Sequence, residues 1–252
     1  MIQKYNALTV FLLVLSMFFS SCEKEGKMVI TPITDIRSIS FKGFVLGDTL
    51  EQYFDGVKMR NFYGRAGFTG NITYENQDAI KMELKKKGTN EVLYTYGIEK
   101  DRDKDKPVRF FYDGKKVTEG YHYPEAIEEQ EQIAFYFDFP AGMPVDIAYG
   151  DGSDINAMEY LAKNVQPKQW TEFIKIPQLE GEMYVFLLKA GKKEYLLEND
   201  AFSSVMSGGI QLPNKYGYPG GGVQSWYVGI VKDGTGKSAF FPQEDLVALF
   251  PR

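Results

Sequence analysis

The chain has 252 residues, a net charge of −5, one cysteine and one histidine. A mildly acidic chain has no electrostatic footprint for nucleic acid, and no block of like charge is long enough for a polybasic membrane patch. One cysteine excludes internal disulfides and cysteine-zinc sites, and one histidine excludes a multi-histidine metal site. Nineteen Phe and seventeen Tyr, punctuated by 25 Gly and 11 Pro, favour short pleated strands over helix bundles.

In chain order, a basic start ending at Lys4 leads into an apolar run, Ala7 to Phe19, then Phe19-Ser20-Ser21-Cys22 and the charged Glu23-Lys24-Glu25. A basic beginning, an apolar middle and small residues before a cut form a secretory signal. The run is shorter than the roughly 20 residues that span a bilayer. Two small residues followed by cysteine resemble the lipobox of bacterial lipoproteins. The resemblance covers residues 1–22, with Phe19 standing where the family prefers Leu. It implies cleavage before Cys22, acylation of that cysteine and an anchor in the outer membrane. The flanking Glu23-Lys24-Glu25 is similar to the signature that sends lipoproteins of Bacteroidota to the cell surface. Acyl chains contribute about 0.8 kcal/mol per buried CH₂, so several hold a protein without a transmembrane segment. Acylation would also consume the only thiol.

Residues 23–34 read as a tether entering the first strand. Arg37 to Val45 alternates in polarity. Glu51 to Phe54, the turn Asp55-Gly56 and Val57 to Arg60 form a hairpin signal, because Asp-Gly supplies the positive φ of a type I′ turn. Asn71–Tyr74, Ala79–Lys85 and Glu91–Gly97 alternate again. Glu99–Lys106 is a solvated charged loop, and Val108 to Val117 repeats the hairpin around Asp113-Gly114. Tyr53–Met59 and Phe111–Val117 share a seven-residue pattern, which reads as reuse of one turn chemistry rather than duplication. Residues 118–132 are polar and acidic and mark a boundary near 120. Beyond it, Ile133–Phe139, Val145–Tyr149, Trp170–Ile176, Met183–Lys189, Lys193–Leu197, Gln224–Val231 and Ser238–Phe241 read as strands. Asp154 caps an expected short helix bearing Met158 and Leu161.

Each half thus offers six or seven strands, the count of an immunoglobulin-like sandwich. The expected architecture is all-β. A signal (1–21), a lipidated Cys22 with its tether (22–34) and two consecutive immunoglobulin-like β-sandwich domains (35–119 and 120–252) follow one another. One larger continuous sandwich is the alternative.

Candidate chemistry is sparse. Asp233-Gly-Thr-Gly-Lys-Ser238 resembles the end of a phosphate-binding loop. Val231 stands where its first Gly belongs, however, and strand-like residues follow where a helix is needed, so a hairpin turn explains it better. Asp146, Asp151, Ser153, Asp154, Asn156 and Glu159 crowd oxygens together without the calcium-loop spacing. They read as turn residues, and neither a metal nor a cofactor is expected. His122 has no serine elbow to pair with. Glu125, Glu128, Glu129 and Glu131 read as a solvated face. The stretch Ser207 to Trp226, rich in Gly and holding Tyr216, Tyr218 and Trp226, is the expected binding surface. Glycine admits a close partner, and flat aromatic faces stack on a sugar ring or a peptide.

These readings converge on a non-enzymatic, membrane-anchored lipoprotein at the cell surface that binds glycan or protein through Tyr216, Tyr218 and Trp226. The alternatives are an adhesive or pilus-type envelope component working through edge strands, and a glycan-degrading enzyme with paired carboxylates.

Overall fold

The computed structural model describes residues 32–101, 106–197, 210–212, 222–240 and 242–252. Among them the chain is all-β. The one α-helix among the described residues, α1 (Leu246–Leu249), is a single turn, and no helix among them is long and apolar enough to cross a membrane.

The N-terminal half is organised by two long strands, β1 (Asp35–Phe54) and β2 (Val57–Tyr74). They are joined by Asp55-Gly56 at φ 45° and 81°, the two positive values a type I′ turn requires. Their ladder shifts register between Val45 and Leu50, where Gly47 and Gly64 take φ 66° and 58°. Both glycines supply conformations that cost other residues energy, and the hairpin bends there. The bend splits the neighbours of β1. Its first part pairs in parallel with β5 (Val108–Tyr112), and its last five residues pair with β3 (Ala79–Lys86). Adding β4 (Val92–Glu99) and β6 (Val117–Thr118) gives one six-stranded sheet, ordered β4-β3-β1-β5-β6 with β2 beside β1. Folded over, this sheet encloses Phe41, Leu50, Met82, Leu84, Phe110 and Tyr112. Gly43 faces Phe110 in the parallel ladder, and a Cβ on it would stand 2.6 Å from that ring.

The C-terminal half uses two separate sheets. One is ordered β10-β7-β13-β16, from β7 (Gln130–Asp138), β10 (Ile174–Pro177), β13 (Val223–Gly229) and β16 (Gln243–Asp245). The other is ordered β12-β11-β8-β9, from β8 (Val145–Gly150), β9 (Glu159–Val165), β11 (Tyr184–Lys189) and β12 (Ile210–Gln211). Phe135 and Phe137 from the first face Ile147, Val185 and Leu187 from the second across one core, which makes a β-sandwich. A small hairpin, β14 (Val231–Lys232) and β15 (Ser238–Phe240), stands apart.

No strand ladder joins the two halves among the described residues. They meet through side chains instead. Phe44, Leu46 and Phe111 from the first half pack with Tyr136, Tyr227 and Phe250 from the second. Phe44 meets Tyr227 edge-on at 4.9 Å between ring centroids, and Tyr227 lies nearly parallel to Tyr136 at 6.1 Å. This junction explains why β7 is buried from Glu131 to Phe137 rather than in alternation. One of its faces looks into the sandwich core, the other onto the first half.

The helix expected after Asp154 does not form. The Asp154 carboxylate accepts the Asn156 N–H at 2.8 Å, which closes a turn, and β9 begins at Glu159. The second Asp-Gly also departs from the first. Asp113 accepts the N–H groups of Lys115 and Lys116, both at 2.8 Å, and only Gly114 takes positive φ. The shared sequence pattern therefore hides two different turns.

Candidate functional site

Of the sequence-derived candidates, Cys22, Tyr216 and Tyr218 lie outside the described residues. Trp226 lies on β13, half-buried against the sandwich core, with its indole N–H donated to the Gln224 Oε1 at 3.0 Å. His122 is exposed in an irregular segment.

The oxygen-rich stretch is consumed internally. Asp146 is buried and accepts the N–H groups of Asn164 and Gly191 at 2.7 and 2.9 Å. Asp151 accepts from Ser153, and Glu159 from the Tyr149 hydroxyl. No group of three His, Cys, Asp or Glu side chains suited to a metal gathers among the described residues. At Asp233, the carboxylate accepts the Thr235 and Lys237 N–H groups, and β15 follows. The phosphate-loop lookalike is thus a hairpin turn, as its sequence implied.

A site that the sequence reading missed lies at the junction. A groove of about 420 Å³ opens between the β1–β2 bend and the ends of β7, β13 and β16. Tyr63 and Arg65 flank Gly64 at the bend and reach into it from β2, with Tyr63 61% exposed. Asp138 enters from the last position of β7, beside Tyr227 of β13, and Glu244 enters from β16. Alternation explains the placement on β7. Phe135 and Phe137 point into the core, so Tyr136 and Asp138 face the junction.

Asp138 is the polar centre of the groove. Its Oδ2 accepts the Tyr227 hydroxyl at 2.7 Å and lies 3.5 Å from the Tyr63 hydroxyl, while its Oδ1 receives the Lys168 ammonium. Lys168 takes the left-handed conformation, φ 64°, and its N–H donates to the Phe137 carbonyl at 2.8 Å, which holds it beside Asp138. Burial, then the Asp138 carboxylate, pushes the Tyr227 phenol well above the usual tyrosine range. Burial pushes the Glu244 carboxyl up, against the pull of Arg65, whose guanidinium stands 3.4 Å away, and of Lys42. The result is an exposed aromatic face ringed by hydroxyl, carboxylate and guanidinium groups.

That combination suits a ligand with apolar faces and hydroxylated edges. It is less suited to bond cleavage, because both Asp138 oxygens are already engaged by Lys168 and the two tyrosines. The signal in the sequence was faint: a polar residue closing an aromatic strand, and a Tyr-Gly-Arg triplet in a stretch with no clear alternation.

No family model matches the chain, and no curated protein does. Ten chains of solved structures are similar in part, among them the following three. One is the family 26 carbohydrate-binding module CBMbc from Eubacterium rectale Amy13K in complex with maltoheptaose. It is 11% identical over 83% of this chain and 96% of that one, with a TM-score of 0.24. The second belongs to a streptococcal virulence factor described for α-glucan binding, 12% identical over 74% and 92% of the two chains, TM-score 0.23. The third is the multi-modular glycogen-degrading pneumococcal virulence factor SpuA in a product complex. It is 12% identical over 81% of this chain and 23% of that one, TM-score 0.23. At scores this low the likeness does not reach strand order or sites.

Proposed function

We propose that this chain is a cell-surface lipoprotein, anchored through Cys22 in the outer membrane, which binds an uncharged glycan without cleaving it. The observation that supports binding is the junction groove, where the exposed ring of Tyr63 stands beside the doubly engaged Asp138 and the Arg65–Glu244 pair. A pyranose would lay its C–H face on Tyr63 and direct hydroxyls to Asp138, Arg65 and Glu244. Each carboxylate in the groove is matched by a cation, Asp138 by Lys168 and Glu244 by Arg65, so the groove carries no net charge that would select a charged sugar. Tyr216, Tyr218 and Trp226 are proposed as further contacts on the C-terminal half.

Titration of the detergent-solubilised chain against a printed array of neutral oligosaccharides tests this. Binding that Tyr63→Ala weakens about tenfold supports it, since one aromatic contact is worth about 0.5–1.5 kcal/mol. Release of new reducing ends would instead favour the glycan-degrading reading. For the anchor, Cys22→Ala is expected to move the protein out of the membrane fraction and abolish labelling by a fatty-acid probe.

A second reading, an adhesive envelope component, is favoured by one observation. Among the described residues β2 pairs with β1 alone along its 18 residues, which leaves a long edge for strand addition. Its Lys58, Arg60 and Arg65, and its three glycines, are devices that blunt such an edge, so the glycan reading ranks first.

A further inference from the structure

Along its path β4-β3-β1-β5-β6 the folded-over sheet of the N-terminal half ends in β4 and β6, which do not pair with each other, while β2 forms a further edge beside β1. The seam between β4 and β6 is open and holds a second groove of about 280 Å³. Tyr94 and Tyr96 of β4 line one wall, and Pro107 before β5, Arg109 within it and Glu119 just after β6 line the other. Spaced by two residues, the tyrosines share a strand face with the buried Ile98. Their inner parts pack on the core of this half, and each ring stays only half covered. The two rings lie nearly parallel, 12° apart in plane and 6.4 Å between centroids. The Tyr94 hydroxyl stands 3.5 Å from the Glu119 carboxylate.

Building on the glycan reading above, we propose that this seam is a second, separate oligosaccharide-binding site, with Tyr94 and Tyr96 as its aromatic wall and Glu119 and Arg109 as its hydrogen-bonding rim. The argument is one of matching surfaces. The groove offers two parallel aromatic faces along one strand, so it takes a ligand that repeats an apolar face. Its rim offers an acceptor in Glu119 and a donor in Arg109, whose guanidinium also donates to the Pro251 carbonyl at 3.2 Å. The ligand must therefore carry hydrogen-bonding groups around the edges of those faces. A chain of pyranose units meets both demands. A polyproline segment meets the first and its carbonyls answer Arg109, but without an N–H it leaves Glu119 unanswered. Burial and then Glu119 push the Tyr94 phenol up to about 12, so its hydroxyl keeps its proton and stays a donor at neutral pH. The seam is formed by β4, β5 and β6, and the junction groove by the β1–β2 bend with β7, β13 and β16. The two sites share no residue and can be removed independently.

The test is calorimetric titration of the full chain in detergent with the strongest oligosaccharide hit from the array. It compares wild type with Tyr63→Ala, with Tyr94→Leu/Tyr96→Leu, and with Tyr94→Phe/Tyr96→Phe. Leucine keeps the apolar packing on the core and removes the aromatic faces, while phenylalanine keeps the faces. The expected result is two sites in wild type, with the junction site weakened about tenfold in Tyr63→Ala and the seam site lost in the double leucine variant. The double phenylalanine variant is expected to stay within about threefold of wild type, since ring contacts dominate the affinity. If wild type shows one site, which the leucine pair leaves unchanged and Tyr63→Ala weakens, the seam site is overturned and the junction site stands. If no oligosaccharide binds wild type, both readings fall. Binding of a polyproline peptide that the leucine pair abolishes, with sugar binding unaffected, also overturns the seam proposal.

Discussion

The two halves bury similar aromatic cores by different means. In the first, one sheet bends at Gly47 and Gly64 and encloses its own residues, so a single hairpin, β1–β2, supplies both layers. In the second, two independent sheets close on each other, and β7 is covered on both faces. The first design leaves an unpaired seam between its ends, where Tyr94 and Tyr96 remain half covered. The second leaves its recess at the ends of its strands, against the neighbouring bend. Each recess is thus a by-product of how that half closes its core.

Substitutions in each core probe whether the halves are one cooperative body. Phe110 and Phe137 are both fully buried, one in each core. Alanine at either is expected to cost about 3–5 kcal/mol in denaturant unfolding. Both tryptophans, Trp170 and Trp226, lie in the second half. The aromatic junction is expected to couple the halves, so Phe110→Ala should shift the tryptophan fluorescence midpoint as far as the circular dichroism midpoint. Fluorescence that keeps its wild-type midpoint in Phe110→Ala would show that the halves unfold separately.

Gly43→Ala asks how tightly the folded sheet is packed. The added methyl would meet the Phe110 ring at 2.6 Å, and the expected loss is about 1–3 kcal/mol, visible as a lower urea midpoint at unchanged slope. Tyr227→Phe sharpens the junction. It removes the hydroxyl donated to Asp138 at 2.7 Å, for an expected loss of about 1–2 kcal/mol by thermal unfolding. Retained stability would mean that Lys168 and Tyr63 satisfy Asp138 by themselves.

Acid should separate the halves most gently. In the first half, Glu51 is held low by Lys58 and Tyr53, and Glu83 by Lys81 and Lys85. Burial would raise Asp48, but Lys86 and the Thr49 N–H bring it below its usual range. Depressed carboxylates stabilise the fold above their unfolded values, and that contribution is lost as pH falls through the folded ones. Burial raises Glu131 and Glu244 in the second half, so their contribution runs the other way. Their ionisation opposes folding, and the penalty is relieved as pH falls through their raised values toward the ordinary glutamate range. Between pH 7 and pH 3, amide exchange through local openings, corrected for its intrinsic rate, should therefore accelerate more in β1 and β3 than in β7 and β13. Equal acceleration in all four strands would remove this distinction.

Much of the strand content was legible, and the reasons it was differ by region. Asp55-Gly56 states its turn because nothing competes with it, whereas Asp113 spends its carboxylate on the Lys115 and Lys116 N–H groups and makes another turn from the same letters. Residues 61–70 read poorly because Gly64, Gly67 and Gly70 interrupt the alternation. They are strand because β1 lies alongside to pair with them. Asp154 resembled a helix cap, and only the structure shows Met158 drawn into a packed cluster with Ala148, Phe186 and Leu188 instead. The candidate sites were the least legible. Tyr63, Asp138, Tyr227 and Glu244 stand far apart in sequence, and nothing local marks them as neighbours.

The two parallel ladders set a timetable for folding. The pairs β1–β2 and β3–β4 are local antiparallel hairpins, and β1 meets β3 across the intervening β2 alone, so these four strands can assemble as the chain lengthens. The pairing of Phe41 with Val108, and of Gln132 with Val223, must wait for long intervening stretches to be brought home. Such distant contacts place a chain among the slow folders, on the order of milliseconds to seconds. Until the second seam seals, β7 carries an apolar run along an open edge, so the interval before Val223 docks is when the chain is most exposed to aggregation.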